Sequence, residues 1–111
     1  MEITETRQED CVIVCVSGKL DTGTAPDLLA RLNQLLATGV SKLVIDLAQL
    51  EYLGSSGLRV FLVTATKLKQ ANGKLALAAA QDHVKHVFDV TGIAGLFAFY
   101  SSLSEACSSL I

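Results

Sequence analysis

Apolar runs with the character of β-strands alternate with apolar stripes of helical period along almost the whole chain. The segment KLVIDLAQL, at residues 42–50, has no polar alternation at its centre, which is typical of a buried parallel strand. KLALAAA, at residues 74–80, is a second run of this kind, and an amphipathic helical pattern separates the two. Strands that alternate with helices predict an α/β domain with a mostly parallel sheet and right-handed crossovers.

The chain begins with two further strand-like runs, EITETRQ at residues 2–8 and CVIVCVSG at residues 11–18. The short polar turn between them predicts an antiparallel hairpin. A last short strand is predicted in LFAFY, which starts at Leu96. The predicted element order is therefore ββαβαβαβα, a mostly parallel sheet with an antiparallel N-terminal edge. We expect residues 1–111 to form a single domain.

The first two helices are predicted from their apolar stripes and their ends. The first lies in DTGTAPDLLARLNQLLATG, where Thr22 or Thr24 is a candidate cap and Gly39 a candidate end. The second begins at the serines of GSSG and runs to about Gln70. Their expected inward faces carry Leu28, Leu32, Leu35 and Leu36 in the first helix, and Leu58, Phe61, Leu62, Ala65 and Leu68 in the second.

Polar residues predict how the helices are paired and capped. Asp27 and Arg31 lie one turn apart in the first helix, so they can form an ion pair there. Asp82 is the candidate cap of a third, short helix in QDHVKHVFDVTG. Ser102 and Glu105 have the spacing of a capping box, which predicts a terminal helix in SSLSEACSSLI.

The composition argues against several classes of function. The net charge is −2 and there is no basic cluster, which disfavours nucleic acid or an anionic membrane as the main partner. No apolar run approaches the roughly 20 residues of a membrane span. The polar N-terminus MEITETRQED is the opposite of a secretory signal, so we expect a cytoplasmic protein.

The three cysteines are consistent with a reducing compartment. Cys11 and Cys15 share one face of a predicted strand, where about 13 Å separates their α-carbons at normal strand rise. A disulfide needs about 4.4–6.8 Å between α-carbons, so this pair is too far apart to form one. We interpret these two residues and Cys107 as small buried hydrophobic side chains.

The sequence contains no complete catalytic or metal-binding motif. A nucleophile elbow needs glycine two positions beyond its serine, and Leu58 stands two positions beyond Ser56. His83 and His86 lie three apart on a predicted helix beside two aspartates, but we interpret them as part of a solvated helix face. No nucleophile, base and orienting group come together. We therefore expect no enzyme, no metal and no cofactor.

Two loops carry the candidate functional residues. SGKLDTGTA follows the second predicted strand, and AQLEYLGSSG follows the third. Function in parallel α/β sheets gathers where strands end and helices begin, so we expect these two loops to be neighbours. Serine capping of a helix would explain one of the two serines at Ser55 and Ser56, but not both.

Three segments span nearly the whole chain in order: VSGKLDTGTAPDL, KLVIDLAQLEYLGSSGLRVFL, and GKLALAAA with VKHVFDVTGIAGLFAFYSSLSEA. In this order and spacing they resemble the STAS-domain family of bacterial anti-sigma factor antagonists. The resemblance implies a small STAS-like β-α superhelix and a regulatory switch that is not itself an enzyme. In that family the unphosphorylated form binds an anti-sigma factor that is a serine kinase, and a sigma factor is thereby freed.

The resemblance also implies roles for particular residues. The kinase phosphorylates a serine at the start of the helix after the third predicted strand, which aligns with Ser56, and a serine phosphatase removes the phosphate. The expected partner-binding residues are Asp21, Thr22, Gly23, Gly54, Ser55 and Gly57. The family usually has aspartate directly before the two serines, where this chain has Gly54. The alternative is a constitutive adaptor or ligand-binding module of a sensory or transport complex, in which the serines only cap a helix.

Overall fold

The computed structural model describes all 111 residues, and it contains six strands, four α-helices and a short 3-10 helix at Ala94–Leu96. The strands are β1 (Glu2–Gln8), β2 (Cys11–Leu20), β3 (Lys42–Asp46), β4 (Leu50–Leu53), β5 (Lys74–Ala78) and β6 (Ala98–Tyr100). The helices are α1 (Ala25–Ala37), α2 (Ser55–Gln70), α3 (Asp82–Val90) and α4 (Leu103–Leu110).

The sheet confirms the predicted fold class. Its strand order is β1-β2-β3-β5-β6, and β1 alone is antiparallel to its neighbour. The long strand β2 serves two partners in turn. Its first half pairs with β3 from Val12 to Cys15, and its last residues pair with β4 from Gly18 to Leu20. A bulge between Gly18 and Lys19 separates the β4 pairing into two registers.

Strand β4 was not predicted, because the segment AQLEYLGSSG was interpreted as a loop. Leu50 and Leu53 are buried while Glu51 and Tyr52 are exposed, a pattern without the two-residue period of an isolated strand. The strand exists because the end of β2 offers it a parallel partner. The helix that begins at Ser55 therefore follows the fourth strand of the chain and not the third.

Helices cover both faces of the sheet. Buried side chains of α1, α2 and α3 pack on one face, with Phe61 stacked on Phe88 at 5.9 Å between ring centroids. Helix α4 covers the other face, where Ala106, Cys107 and Leu110 pack against small and aliphatic strand residues. With both faces covered, most residues of β2, β3 and β5 are buried, which explains the unbroken apolar runs of these three strands.

The cysteines are mostly where the sequence predicts them. Cys11 of β2 and Cys107 of α4 are both buried where this strand and this helix pack together. Cys15 is only partly buried, because it lies near the open end of the β2–β3 pairing. Burial raises the pKa of each of the three thiols, which keeps them protonated and poorly nucleophilic.

Helix α2 begins and ends as predicted, but its inward face differs in detail. Leu58, Phe61 and Leu68 are buried, whereas Leu62 and Ala65 are only half-buried. Thr64 is fully buried in their place, and its hydroxyl donates a hydrogen bond to the carbonyl of Val60 at 2.8 Å. A threonine can occupy the core here because the preceding helical turn accepts its only donor.

The pairing and capping predictions had mixed outcomes. Arg31 pairs with Glu5 of strand β1 and not with Asp27, because the sheet edge brings a carboxylate within its reach. Asp82 is the first helical residue of α3, whose cap position is held by Gln81 without a side-chain hydrogen bond. The terminal helix α4 and its Ser102 cap are confirmed, since the Ser102 hydroxyl accepts from the Glu105 amide at 3.1 Å. The reciprocal half of the capping box does not form, because the Glu105 carboxylate accepts from the Ser101 hydroxyl at 3.1 Å.

Candidate functional site

The two candidate loops lie side by side because strands β2 and β4 end side by side. Leu20 and Leu53, the last residues of these strands, are register partners. The amide of Gly54 then donates to the carbonyl of Leu20 at 2.9 Å, which extends the pairing one residue beyond β4. The chain enters α1 from one of these strand ends and α2 from the other, so both helix starts face the same end of the sheet.

A hydrogen bond joins the two loops directly. The Thr22 and Ser56 hydroxyl oxygens are 3.2 Å apart, although 34 positions separate the residues in the sequence. Thr22 is exposed and Ser56 is half-buried. The structure therefore brings together the two segments that sequence analysis singled out, with the Ser56 hydroxyl at their junction.

Asp21 organises the first loop. One oxygen of its carboxylate accepts hydrogen bonds from the amides of Gly23 and Thr24, at 3.0 and 3.2 Å. The Thr24 hydroxyl accepts from the Asp21 amide at 3.0 Å and donates to the Lys19 carbonyl at 2.8 Å. Thr24 holds the cap position of α1, but its hydroxyl makes no capping bond, so Asp21 supplies the ordering of this helix entry.

Neither serine caps helix α2. The cap residue is Gly54, in extended backbone conformation, and no side chain completes the cap. Ser55 and Ser56 are the first two helical residues, where backbone N–H groups lack a carbonyl partner within the helix. The interpretation that a serine is present to cap the helix is therefore wrong, because neither hydroxyl makes a capping bond.

Gly57 allows the start of α2 to pack directly on the strand ends. A β-carbon on this buried residue would lie 2.6 Å from side-chain atoms of both Leu20 and Leu53. No other residue type fits here without movement of the leucines that end β2 and β4. The close approach fixes the position of Ser56, the residue directly before Gly57.

Two exposed residues at this site were not singled out from the sequence. Tyr52 is 50% exposed, and its ring lies within 3.4 Å of the place that a β-carbon on Gly54 would take. Arg59 is exposed and, with Ser56, lines a groove between α1 and α2. It belongs to none of the three salt bridges in the structure. The spacing of Ser56 and Arg59, three apart at a helix start, was the available signal for Arg59.

The two histidines lie away from the serines. Both are exposed, and His83 makes a 2.6 Å hydrogen bond with the carbonyl oxygen of Glu51, which ties α3 to β4. No three His, Cys, Asp or Glu side chains are grouped closely enough to hold a metal ion. None of the helices has both the length and the apolar character that a membrane span requires.

Comparison with known proteins defines the family. The STAS domain family matches residues 2–106, so this chain belongs to the STAS domain family. It is 32% identical to BtrV of Bordetella bronchiseptica, a candidate anti-sigma factor antagonist, over 98% of this chain and 94% of the relative. The Staphylococcus aureus anti-sigma-B factor antagonist is 29% identical over 86% of this chain and 89% of its own.

Solved structures have the same fold. An anti-sigma factor antagonist from Mycobacterium paratuberculosis superimposes with a TM-score of 0.90 at 29% identity, covering 98% of this chain and 92% of its own. The anti-sigma factor antagonist SpoIIAA in its unphosphorylated form gives a TM-score of 0.83 at 18% identity, over 97% and 95% of the two chains. At that identity the second likeness concerns the fold alone.

Proposed function

We propose that this protein is an anti-sigma factor antagonist that is switched by phosphorylation of Ser56. In its unmodified form it binds a serine-kinase anti-sigma factor, which then releases a sigma factor. The observation that carries the proposal is the Ser56 hydroxyl itself. It is half-buried at the junction of two loops, it caps nothing, and its one side-chain partner is the exposed hydroxyl of Thr22.

The relatives support the class of partner. BtrV and the Staphylococcus aureus protein both have names that describe antagonists of anti-sigma factors, and each is matched over most of its length. The chain would be a substrate of the kinase and not an enzyme, with residues 1–111 acting as one STAS domain. Because the kinase consumes ATP, the proposal includes a cytoplasmic location, and a serine phosphatase would reverse the modification.

The chemistry follows from the position of Ser56. The kinase would transfer the γ-phosphoryl group of ATP to the Ser56 oxygen, with loss of the hydroxyl proton and release of ADP. The new group adds about −1.5 to −2 charges at neutral pH. Helix starts favour negative charge, so the domain tolerates the group while the partner surface does not. A cost of about 3 kcal/mol at the interface weakens binding roughly 150-fold.

The test is phosphorylation in vitro by candidate serine kinases from the same genome, followed by mass spectrometry. We expect one phosphoryl group on the wild-type protein and on Ser55→Ala, and none on Ser56→Ala. Ser55→Ala is a matched control because both serines are at the start of α2 and neither makes a capping bond. Phosphate found on Ser55 alone, or equal kinase affinity before and after modification, would leave the constitutive adaptor as the better description.

A further inference from the structure

A groove runs between α1 and α2 and opens at the serine end of the domain. It has a volume of about 290 Å³. Its walls are mainly apolar and are formed by Ala25, Pro26, Leu29, Val60 and Val63. Thr22 and Ser56 lie at its mouth, and Arg59 lies on its rim. Farther along the two helices, a 2.8 Å hydrogen bond from Lys67 to Asn33 bridges α2 to α1.

The size and lining of the groove suit a protein side chain. Small-molecule sites are usually about 300–1,000 Å³ and enclose their ligand, whereas this groove is at the lower limit and open. Leu29 and Val63 are only half-buried, so apolar surface remains uncovered within it. Arg59 supplies the only charge among the lining residues, and it has no carboxylate partner in the chain.

The groove is continuous with the proposed partner-binding face. Thr22 and Ser56 belong to both, so a protein that covers Ser56 also covers the mouth of the groove. The positive charge of Arg59 is complementary to a carboxylate, and an interface that buried this guanidinium without one would pay for its desolvation. The partner segment that best fits apolar walls and one cation is an apolar side chain with an acidic residue next to it.

We propose that the groove between α1 and α2 receives an apolar side chain of the kinase anti-sigma factor, next to a carboxylate that pairs with Arg59. This inference rests on the proposed function and adds the chemistry of the partner segment. It also assigns a second role to Arg59. Phosphate on Ser56 lies one helical turn before Arg59 and on the same groove, so the guanidinium turns to the phosphate and no longer pairs with the partner.

The first test measures the affinity of variants for the purified kinase that modifies Ser56. We expect Arg59→Gln to raise Kd about tenfold. Arg7→Gln, which removes an exposed arginine from β1, stays within about twofold because distant surface charges are screened. Leu29→Ala in the groove wall raises Kd by about fivefold or more, whereas Leu62→Ala, another half-buried leucine outside the groove, does not.

The second test uses protein with phosphoserine inserted at position 56 during translation, so its NMR titration needs no kinase. Phosphorus NMR follows the second deprotonation of the phosphate, from monoanion to dianion, which occurs at about pH 6 in a free phosphoserine. We expect this step at lower pH in the wild-type background than with Arg59→Gln, and no change with Arg7→Gln. With the purified kinase, we also expect the ratio of the Kd of phosphorylated protein to that of unmodified protein to be about tenfold smaller in Arg59→Gln than in the wild type.

The outcomes separate this inference from the proposed function. Modification of Ser56 together with wild-type affinity of Arg59→Gln and Leu29→Ala overturns the inference and leaves the switch intact. Identical phosphate titrations in wild type and Arg59→Gln overturn the role of Arg59 even if no kinase is found. Sedimentation of the isolated protein provides a further check, because a dimer that Leu29→Ala dissociates would identify a second copy as the occupant and overturn the proposal.

Discussion

At the scale of single residues, the site depends on a division of roles between neighbours in the sequence. Gly54 occupies the cap position, Ser56 presents its hydroxyl, and Gly57 lets the helix start touch the strand ends. Asp21 holds the facing loop through two backbone amides. Each residue is needed for a different physical reason, so substitutions at adjacent positions are expected to fail in different ways.

Gly57→Ala tests the close approach at the start of α2. The added β-carbon would lie 2.6 Å from atoms of Leu20 and Leu53, so these leucines or the helix must move. We expect a loss of about 1–3 kcal/mol in the free energy of unfolding, as for other overpacked cores. Chemical denaturation measures this loss.

Gly95→Ala is the matched control for Gly57→Ala. No atom lies within 4 Å of the β-carbon that this substitution adds, and Gly95 does not need positive φ. Its stability should equal that of the wild type or exceed it slightly, because alanine restricts the unfolded chain. Equal stabilities of the two variants would show that the contact around Gly57 relaxes freely.

At the scale of elements, sequence patterns predict the elements that local chemistry specifies. Helix α2 begins at Ser55 as expected, and Ser102 caps α4 through the Glu105 amide. Strand β4 was missed because the pairing with the end of β2 that makes it a strand is a tertiary contact, which no local pattern shows. For the same reason the sequence could not place Arg31 beside Glu5, since that ion pair depends on how the sheet edge meets α1.

Leucines of the two long helices differ in burial, so their truncation to alanine should destabilise the protein by different amounts. Leu32 of α1 is fully buried, so Leu32→Ala is expected to cost about 2–5 kcal/mol in unfolding free energy. Leu62 of α2 is half-buried and lines a different open cavity, which also touches Leu75 and Phe97. We therefore expect Leu62→Ala to cost less than half as much unfolding free energy as Leu32→Ala. Denaturant titration of the two variants gives the comparison. A loss at Leu62 as large as that at Leu32 would contradict the placement of α2.

At the scale of the whole molecule, the site is at one end of a sheet that is packed on both faces. Strands β2 and β4 fix the two loops through backbone pairing, and the core beneath them is closed. Ser56 contributes no capping bond and no ion pair to this framework. Modification at Ser56 therefore changes the surface charge of the domain, and the only side-chain hydrogen bond it puts at risk is the exposed one to Thr22.

The phosphorylated protein should melt close to the unmodified one. We expect the two Tm values to agree within about 4 °C, which corresponds to less than about 1 kcal/mol for a domain of this size. The start of α2 favours the added charge, and the only side-chain bond at risk is the one between Ser56 and Thr22. Scanning calorimetry of protein with phosphoserine at position 56 makes the measurement. A fall in Tm well beyond this range would mean that the modification acts by loosening the domain.

The tight seat of Gly57 on Leu20 and Leu53 has a consequence for how such a domain would transmit information. A helix start that is held in one place has no second arrangement for the phosphate to favour. Each copy of the protein would then keep its phosphate independently of the other copies, until a phosphatase removes it. With neither enzyme saturated, the ratio of phosphorylated to unphosphorylated copies would rise in proportion to the kinase rate over the phosphatase rate, and the output would be graded instead of all-or-none.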